Sequence, residues 1–243
     1  MKTRHLLLTG LMTLGLTSSL FAQERDNNGG FGIKGGVGFS TISFGEGKDI
    51  EKSDNSWKVG GMFGVSYEAR IGNVFALDFE ALLANKGVKR TQSYTILGKS
   101  GDVTLKGNLF TVDVPISAKF YFGDNFNIYA GPYFSYTLGA NTKASASYGD
   151  NTQSKESENW FGNDYKDPNG ELPLNRFDIG ANVGLEFISN GGFGIGARFQ
   201  KGFIDITNDD YVGRVNGDVG LVFPADKKFV TNTGFQLYGI FRF

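Results

Sequence analysis

The side chains that enzymes use most often for nucleophilic and metal chemistry are scarce in this chain. It has no cysteine and a single histidine, His5, which lies in residues 1–22, a segment with the pattern of a secretory signal. If that segment is removed, the rest of the chain has neither residue type. Ser–His and Cys–His catalysis and metal ligation by His or Cys are then excluded, and we predict no cofactor.

The proposed signal has a short basic start, an apolar run from Leu6 to about residue 16, and small residues before the cut. The run is too short for a transmembrane helix, which needs about 20 residues. We expect cleavage between Ala22 and Gln23, so that residues 1–22 are the signal peptide and residues 23–243 form one domain.

Acidic side chains are the remaining candidates for chemistry. Asp78 and Glu80 are two residues apart in a segment of alternating pattern, so their carboxylates point to the same side and could act as acid and base. Basic residues on neighbouring segments offer a simpler interpretation, in which both carboxylates form ion pairs. We favour ion pairing and predict no catalytic residue.

Residues 162–172 contain a second group of oxygen ligands. Asp164, Asp167, Asn169 and Glu171 could surround a calcium ion. The segment lacks the spacing and the glycine of an EF-hand loop, and its DPNG sequence is also a good turn. We therefore predict no metal site.

The elements that would position such residues are strands. Apolar and polar residues alternate with a period of two in eight segments, residues 31–40, 57–70, 74–84, 109–122, 126–139, 176–187, 193–203 and 233–243. Each apolar face is about 9–11 residues long, the length that a tilted strand needs to cross a bilayer. The sequence therefore predicts an all-β fold, an eight-stranded antiparallel transmembrane β-barrel with up-and-down meander topology. The alternative is a water-soluble barrel or sandwich, because alternation does not say which face is outside.

The polar faces of these segments carry full charges, which a membrane barrel would enclose. The predicted interior charge network consists of Lys34, Lys58, Glu68, Arg70, Asp78, Glu80, Asp113, Lys119, Asp178, Glu186, Arg198 and Arg242. An eight-stranded barrel has room for little more than side chains, so unpaired charges would be costly and balanced ones can pair. We favour a plug of salt bridges over a polar conduit.

The connections between segments are alternately short and long. Short ones fall near residues 71–73, 123–125 and 189–192, and long ones cover residues 43–56, 85–108, 140–175 and 204–228. Outer-membrane barrels have short periplasmic turns and long extracellular loops, so both termini are expected in the periplasm. We expect residues 85–108 to extend their two strands as a hairpin, and the polar residues 144–159 to form a mobile loop.

The last segment ends on aromatic residues with no polar tail. Phe241 and Phe243 continue its apolar stripe, and the strand must pair with the first one to close the barrel. A terminal aromatic residue is similar to the signal that the barrel assembly machinery reads on bacterial outer-membrane proteins. We expect Phe241 and Phe243 to serve as that signal.

The fourth and fifth segments resemble the PorT-family outer-membrane β-barrels of Bacteroidetes. The resemblance rests on residues 113–115 (DVP), 119–122 (KFYF) and 130–133 (AGPY), with further likeness in residues 32–43, 79–89 and 177–187. It covers most of residues 31–243 apart from the long loops. It implies an eight-stranded barrel, assigns no activity, and connects the family to a secretion system through its name-giving member.

Net charge further limits the classes of function that the sequence allows. Removing Lys2 and Arg4 from the 24 basic residues leaves 22 against 25 acidic ones, a net charge of −3, which does not suit nucleic acid. We expect a porin-like protein of the outer membrane of a Gram-negative bacterium, with a structural or interaction role and no catalysis. Its expected partners are outer-membrane lipid, the assembly machinery, and proteins or glycans at the extracellular loops. The alternatives are a secretion-system component and a small pore.

Overall fold

The computed structural model describes residues 29–44, 55–96, 99–148, 151–156, 175–206 and 230–243. The strands in these ranges are β1 (Gly29–Phe44), β2 (Asn55–Ser56), β3 (Lys58–Ile71), β4 (Phe75–Ile96), β5 (Lys99–Phe122), β6 (Phe126–Tyr148), β7 (Asn151–Glu156), β8 (Phe177–Ile188), β9 (Phe193–Gly202) and β10 (Val230–Arg242). The proposed signal peptide with its cleavage site, and the possible calcium loop, lie outside the described residues. Among the described residues, no helix is long and apolar enough to cross a membrane.

Eight of the strands form a closed barrel. Around the ring the order is β1, β3, β4, β5, β6, β8, β9 and β10, and β10 pairs with β1 in antiparallel register from Gly32↔Arg242 to Phe44↔Val230. Every other neighbouring pair is antiparallel as well. The predicted eight-stranded antiparallel meander is therefore confirmed. Closure gives each of these strands a hydrogen-bonding partner on both sides, as a chain in hydrocarbon requires.

The barrel is apolar outside and charged inside, the reverse of a water-soluble protein. On β8, Phe177 is 67% exposed and Val183 is 53% exposed, whereas Asp178 and Glu186, on the alternate positions, are 4% and 0% exposed. The other barrel strands repeat this alternation. A soluble barrel would bury the apolar set, because burial of that surface drives its folding. The exterior therefore fits a hydrocarbon solvent.

The two ends of the barrel differ in the length of their connections. At one end the strands are joined by residues 72–74, 123–125 and 189–192, and Gly72, Gly123 and Gly192 adopt positive φ values of 73°, 72° and 85° there. Glycine adopts that backbone conformation without steric cost. The chain leaves the barrel at the same end, where the Phe243 amide donates a 2.9 Å hydrogen bond to the Phe31 carbonyl. We call this the short-turn end.

At the opposite end, which we call the long-connection end, three strands continue beyond the barrel. The strands β4, β5 and β6 are 22, 24 and 23 residues long, and the pairing of β4 with β5 runs to Ile96↔Lys99. The hairpin predicted in residues 85–108 is present. The mobile loop predicted for residues 144–159 is wrong in its first part, because β6 continues to Tyr148 and β7 pairs with it. The backbone of β5 provides partners for the end of β6, and β6 in turn provides them for β7, so this polar sequence forms strands.

Glycines on the inward faces make room for tyrosine rings. Three buried tyrosines lie directly opposite a glycine on the neighbouring strand, in the pairs Tyr129↔Gly184, Tyr133↔Gly180 and Tyr238↔Gly196. A methyl group at any of these three glycines would overlap the ring of its partner. Each ring therefore lies across a site that has no side chain, which lets large polar residues fill a narrow lumen.

Candidate functional site

The centre of the lumen is organised by two buried lysines. The Lys34 ammonium group lies 3.2 Å from Asp78, 3.0 Å from Glu80 and 2.7 Å from Glu186. The Lys119 ammonium group lies 3.1 Å from Glu68, 2.9 Å from Asp78 and 2.6 Å from Glu186. Both lysines thus share Asp78 and Glu186, and the two parts of the cluster are connected. These residues come from β1, β3, β4, β5 and β8.

Toward the short-turn end, Glu68 is held by several donors. Arg242 of β10 donates through both terminal nitrogens to its two oxygens, at 2.9 and 2.7 Å, and the Tyr121 hydroxyl donates at 2.6 Å. This bidentate geometry is the strong form of an arginine–carboxylate pair. Arg70 approaches Glu68 at 3.4 Å and lies 3.9 Å above the Tyr121 ring. Arg70 is half-buried and forms the rim of the cluster.

On the other side of Lys34, the cluster continues through aromatic hydroxyls. Arg198 forms an ion pair with Glu80 and donates to the Tyr129 hydroxyl at 3.2 Å. The hydroxyls of Tyr129 and Tyr238 are 2.6 Å apart, and Tyr238 donates to Glu186 at 2.9 Å. We call eight buried groups the central network, and their charges balance four against four: the acids Glu68, Asp78, Glu80 and Glu186 and the bases Lys34, Lys119, Arg198 and Arg242. Arg70, at the half-buried rim, adds one positive charge outside this count.

A second, smaller cluster lies nearer the long-connection end. The Lys86 ammonium group lies 2.6 Å from Asp113, which also accepts from Ser135 at 2.6 Å. Asp178 accepts from the Tyr133 hydroxyl at 3.1 Å and from Asn232 at 3.2 Å. The Asp113 and Asp178 side chains therefore belong to this outer cluster rather than to the central network.

Lys58 was expected in the interior network but lies apart from it. Its ammonium group donates to the Asn85 side chain at 2.5 Å and to the Lys86 carbonyl at 3.0 Å. Neither partner is a carboxylate, and the bond to Asn85 is exposed. Gly87, whose φ is 146°, leaves room for the Lys58 stem to pass outward, because a methyl group there would lie 3.1 Å from the Lys58 Cδ.

Sequence reasoning missed some of the polar residues inside the barrel. Lys86 was assigned to a connection, although strand alternation simply continues through it. Four interior tyrosines were left out because the predicted network was confined to charged side chains, namely Tyr121, Tyr129, Tyr133 and Tyr238. Their positions on the charged face of each strand were the available signal.

The side chains leave little open space in the lumen. Near the outer cluster a cavity of about 20 Å³ is lined by Ser40, Lys86, Tyr133, Gln200 and Gln236 among others. That is room for about one water molecule. Within the described ranges, no three acidic, histidine or cysteine side chains are placed to hold a metal ion. Within the described residues of the lumen, the side chains bind charge to charge.

Comparison with protein families agrees with this geometry. Residues 21–208 match the family described as outer membrane protein beta-barrel domain. The chain belongs to this family. The barrel is thus an outer-membrane barrel, and the hydrocarbon that its apolar exterior fits is that of the outer membrane. No curated protein matches the chain.

Several solved structures are similar to this outer-membrane barrel. Ail, the attachment invasion locus protein of Yersinia pestis, is 12% identical with a TM-score of 0.38, over 89% of this chain and 99% of that one. Neisserial surface protein A (NspA) is 12% identical with a TM-score of 0.42, over 88% and 97%. OprG from Pseudomonas aeruginosa is 12% identical with a TM-score of 0.35, over 89% and 96%.

Proposed function

We propose that this outer-membrane barrel is a structural or interaction protein without catalytic activity, which contacts its partners through the long-connection end. The observation that carries the proposal is the contrast between its two polar regions. The central network of the lumen is buried and neutral, whereas β4, β5 and β6 extend beyond the barrel in a mainly polar sequence, with Asp102, Lys106 and Lys143 exposed. Partners that meet this sheet are proteins or glycans.

The proposal includes an orientation and a processing step. Residues 1–22 are the signal peptide, cut between Ala22 and Gln23, and residues 23–243 are the mature protein. Both termini are periplasmic and the strand extension is extracellular. The support is the asymmetry of the barrel, whose short turns are at the end where the chain leaves it, since short turns face the periplasm in such barrels.

Two charged or aromatic features have roles in this proposal. The interior charges act as a plug that closes the lumen, and Phe241 and Phe243 act as the signal for the assembly machinery. Support for the second role is that Phe243 is 41% exposed and its ring packs at 5.2 Å against Phe241 on the outer face. A machinery in the membrane could read both rings before the barrel closes.

A second candidate is a component of a secretion system of Bacteroidetes. It is supported by the resemblance of residues 113–133 to the PorT family. The two prolines of this segment, Pro115 and Pro132, lie on the paired strands β5 and β6 of the barrel. A third candidate, a small pore, is disfavoured by the ion pairs that fill the lumen.

The interaction role is tested by shortening the extension. Residues 92–103 are replaced by an Asn-Gly turn, which joins the paired positions Thr91 and Thr104 as a tight hairpin. The tagged full-length chain and the shortened variant are then purified from their own outer membrane. We expect proteins or glycans that co-purify with the full chain to be lost from the variant. Equal recovery with both chains would contradict a role for the hairpin in binding.

Conductance separates the plug from a pore. The protein is reconstituted in planar bilayers, and we expect no steady stepwise current, because the central charges are buried in mutual ion pairs. A regular unitary current from the unmodified chain would overturn the closed lumen and favour the pore.

A further inference from the structure

Three lysines on the strand extension lie side by side in register. Lys89 of β4 is directly opposite Lys106 of β5, and Lys106 is directly opposite Lys143 of β6. Lys106 and Lys143 are exposed and Lys89 is half-buried. We call these three residues the lysine row. Side chains at directly opposite positions have Cβ atoms about 4.5–5.5 Å apart, so like charges there repel each other.

The row lies on the outward face of the sheet. Two residues nearer the barrel than Lys106 and Lys143 lie Asn108 of β5 and Asn141 of β6. They are also opposite each other, and their side chains are joined by a 2.8 Å hydrogen bond. Two residues further along β5 is Phe110, which is 46% exposed on the apolar exterior. The apolar band, the asparagines and the lysines thus follow one another on the same face.

A fourth ammonium group adds to the row. The Lys58 ammonium group, which reaches outward past Gly87, donates to Asn85, four positions before Lys89 on the same face of β4. Among the residues whose side chains the structure describes, no carboxylate forms an ion pair with Lys89 or Lys106. On the far side of Lys143 the register position is Glu156, so Lys106 has lysines on both sides.

Protection of a sheet edge does not explain this arrangement. Lysines that prevent edge-to-edge association lie on edge strands. Lys106 lies on β5, which is paired with β4 on one side and β6 on the other. Solubility does not require it either, because charges that are spread out or alternate in sign give it without placing like charges together. An anion shared by neighbouring lysines would convert the repulsion into binding.

The height of the row above the apolar band identifies the source of the anion. Lys106 is four residues beyond Phe110, about 13 Å along a strand and about 10 Å along the membrane normal at a tilt of about 40°. The headgroup region of a bilayer is about 5–8 Å thick on each side. Lysine stems can bend back toward the interface, so the ammonium groups reach the level of the lipid phosphates.

We propose that the lysine row, with Lys58, is a binding site for the phosphate groups of a phosphorylated glycolipid in the adjacent membrane leaflet. The site holds lipid against the outer face of β4, β5 and β6, where the extension leaves the membrane. This inference rests on the proposed orientation for the identity of the leaflet, but the chemistry of the site is independent of it.

The test uses the full mature chain, refolded in neutral detergent and in phosphatidylcholine vesicles that contain lipid A, either bisphosphorylated or dephosphorylated. Because both leaflets of such vesicles carry the lipid, the result does not depend on orientation. Two quantities are measured, the retained lipid A, counted through a label on its acyl chains so that phosphatidylcholine does not contribute, and the urea midpoint of unfolding. The variant is Lys106→Gln, and the control is Lys201→Gln, an outward lysine of β9 whose register partners are Ala181 and Thr233.

We expect bisphosphorylated lipid A, and not the dephosphorylated form, to raise the unfolding midpoint of the unmodified chain. Lys106→Gln should weaken lipid retention about fivefold, the effect of one lysine at an anionic surface. In neutral detergent the same variant should be at least as stable as the unmodified chain, because repulsion is relieved. Lys201→Gln should retain lipid A like the unmodified chain, and the loss of its hydrogen bonds to Thr231 and Thr233 should lower the unfolding midpoint by the same amount with and without lipid A.

Three results would overturn the proposal. The first is an equal rise of the unfolding midpoint with both forms of lipid A, which would show that the acyl chains or sugars are recognised. The second is an equal loss of retention in Lys106→Gln and Lys201→Gln, which would show general surface charge. The third is a rise of the unfolding midpoint with free pyrophosphate in detergent that equals the rise with bisphosphorylated lipid A, which would assign the site to a soluble anion. A conductance or co-purification result that refutes the proposed function leaves these measurements unaffected.

Discussion

The most direct perturbation of the lumen is Glu186→Gln, which removes one charge and keeps the shape. Glu186 accepts from Lys34 at 2.7 Å, from Lys119 at 2.6 Å and from the Tyr238 hydroxyl at 2.9 Å. An amide oxygen at the Oε1 position can still accept from Lys34 and Tyr238, but the NH₂ group would then face the Lys119 ammonium group, which is a donor as well. The central network changes from neutral to one net positive charge, out of contact with water. Removing one partner of a buried pair costs about 3–5 kcal/mol, and we expect a loss of stability of that size.

The assay is urea unfolding of the refolded protein in neutral detergent, with the folded fraction measured from gel mobility of unheated samples. The control is Asp102→Asn, which removes an exposed carboxylate on the strand extension. It should change the free energy of unfolding by no more than about 0.5 kcal/mol. A second variant, which also removes a cation of the network, then tests whether the loss of stability comes from the unbalanced charge.

The compensating variant combines Glu186→Gln with Lys119→Met, which makes the network neutral again. We expect the double variant to be less destabilised than the sum of the single variants, by about 0.5–3 kcal/mol. If Glu186→Gln costs less than about 1 kcal/mol, or if the two losses simply add, the charges do not act as one network and the plug interpretation fails.

Three further predictions concern packing, assembly and insertion. Gly196→Ala should push the Tyr238 ring from its place and cost about 1–3 kcal/mol in urea unfolding, whereas Gly61→Ala, where a methyl group meets nothing closer than 4.0 Å, should be nearly neutral. Phe243→Ser should reduce the amount of protein in the outer-membrane fraction but leave refolding in detergent almost unchanged; normal amounts in cells would remove the assembly role. Unheated and boiled samples should differ in gel mobility, and equal mobility would contradict a stable barrel.

Strand alternation made the barrel predictable from the sequence. Each spanning segment has a face of Phe, Val, Ile or Leu against a polar face, which is charged in most of them, and a period of two assigns every residue to one of the faces. The family match and the closed ring of strands confirm the membrane alternative over the soluble one. The length of β6 was harder to predict, because residues 140–147 alternate only small Ala and Thr side chains with polar ones and the contrast between the two faces is weak there.

The partners of each charge could not be derived from the sequence. Lys34 and Glu186 are 152 positions apart and lie on strands that are not neighbours in the sheet. Their contact depends on how far each side chain reaches across the lumen, which strand register alone does not give. The outward path of Lys58 depends on the backbone conformation at Gly87. The alternation of polar and apolar residues does not predict that conformation.

The two sets of charges in this protein obey different constraints, and the difference indicates where its function lies. Charges inside the barrel have lost water, so they are stable only when paired, and the central network is balanced four against four. Such a balance is required by folding and carries no information about a ligand. Lys89, Lys106 and Lys143 are at the surface, where pairing is not required, and yet they are placed in mutual opposition. Folding gains nothing from that placement, so the lysine row is the better guide to what the protein binds.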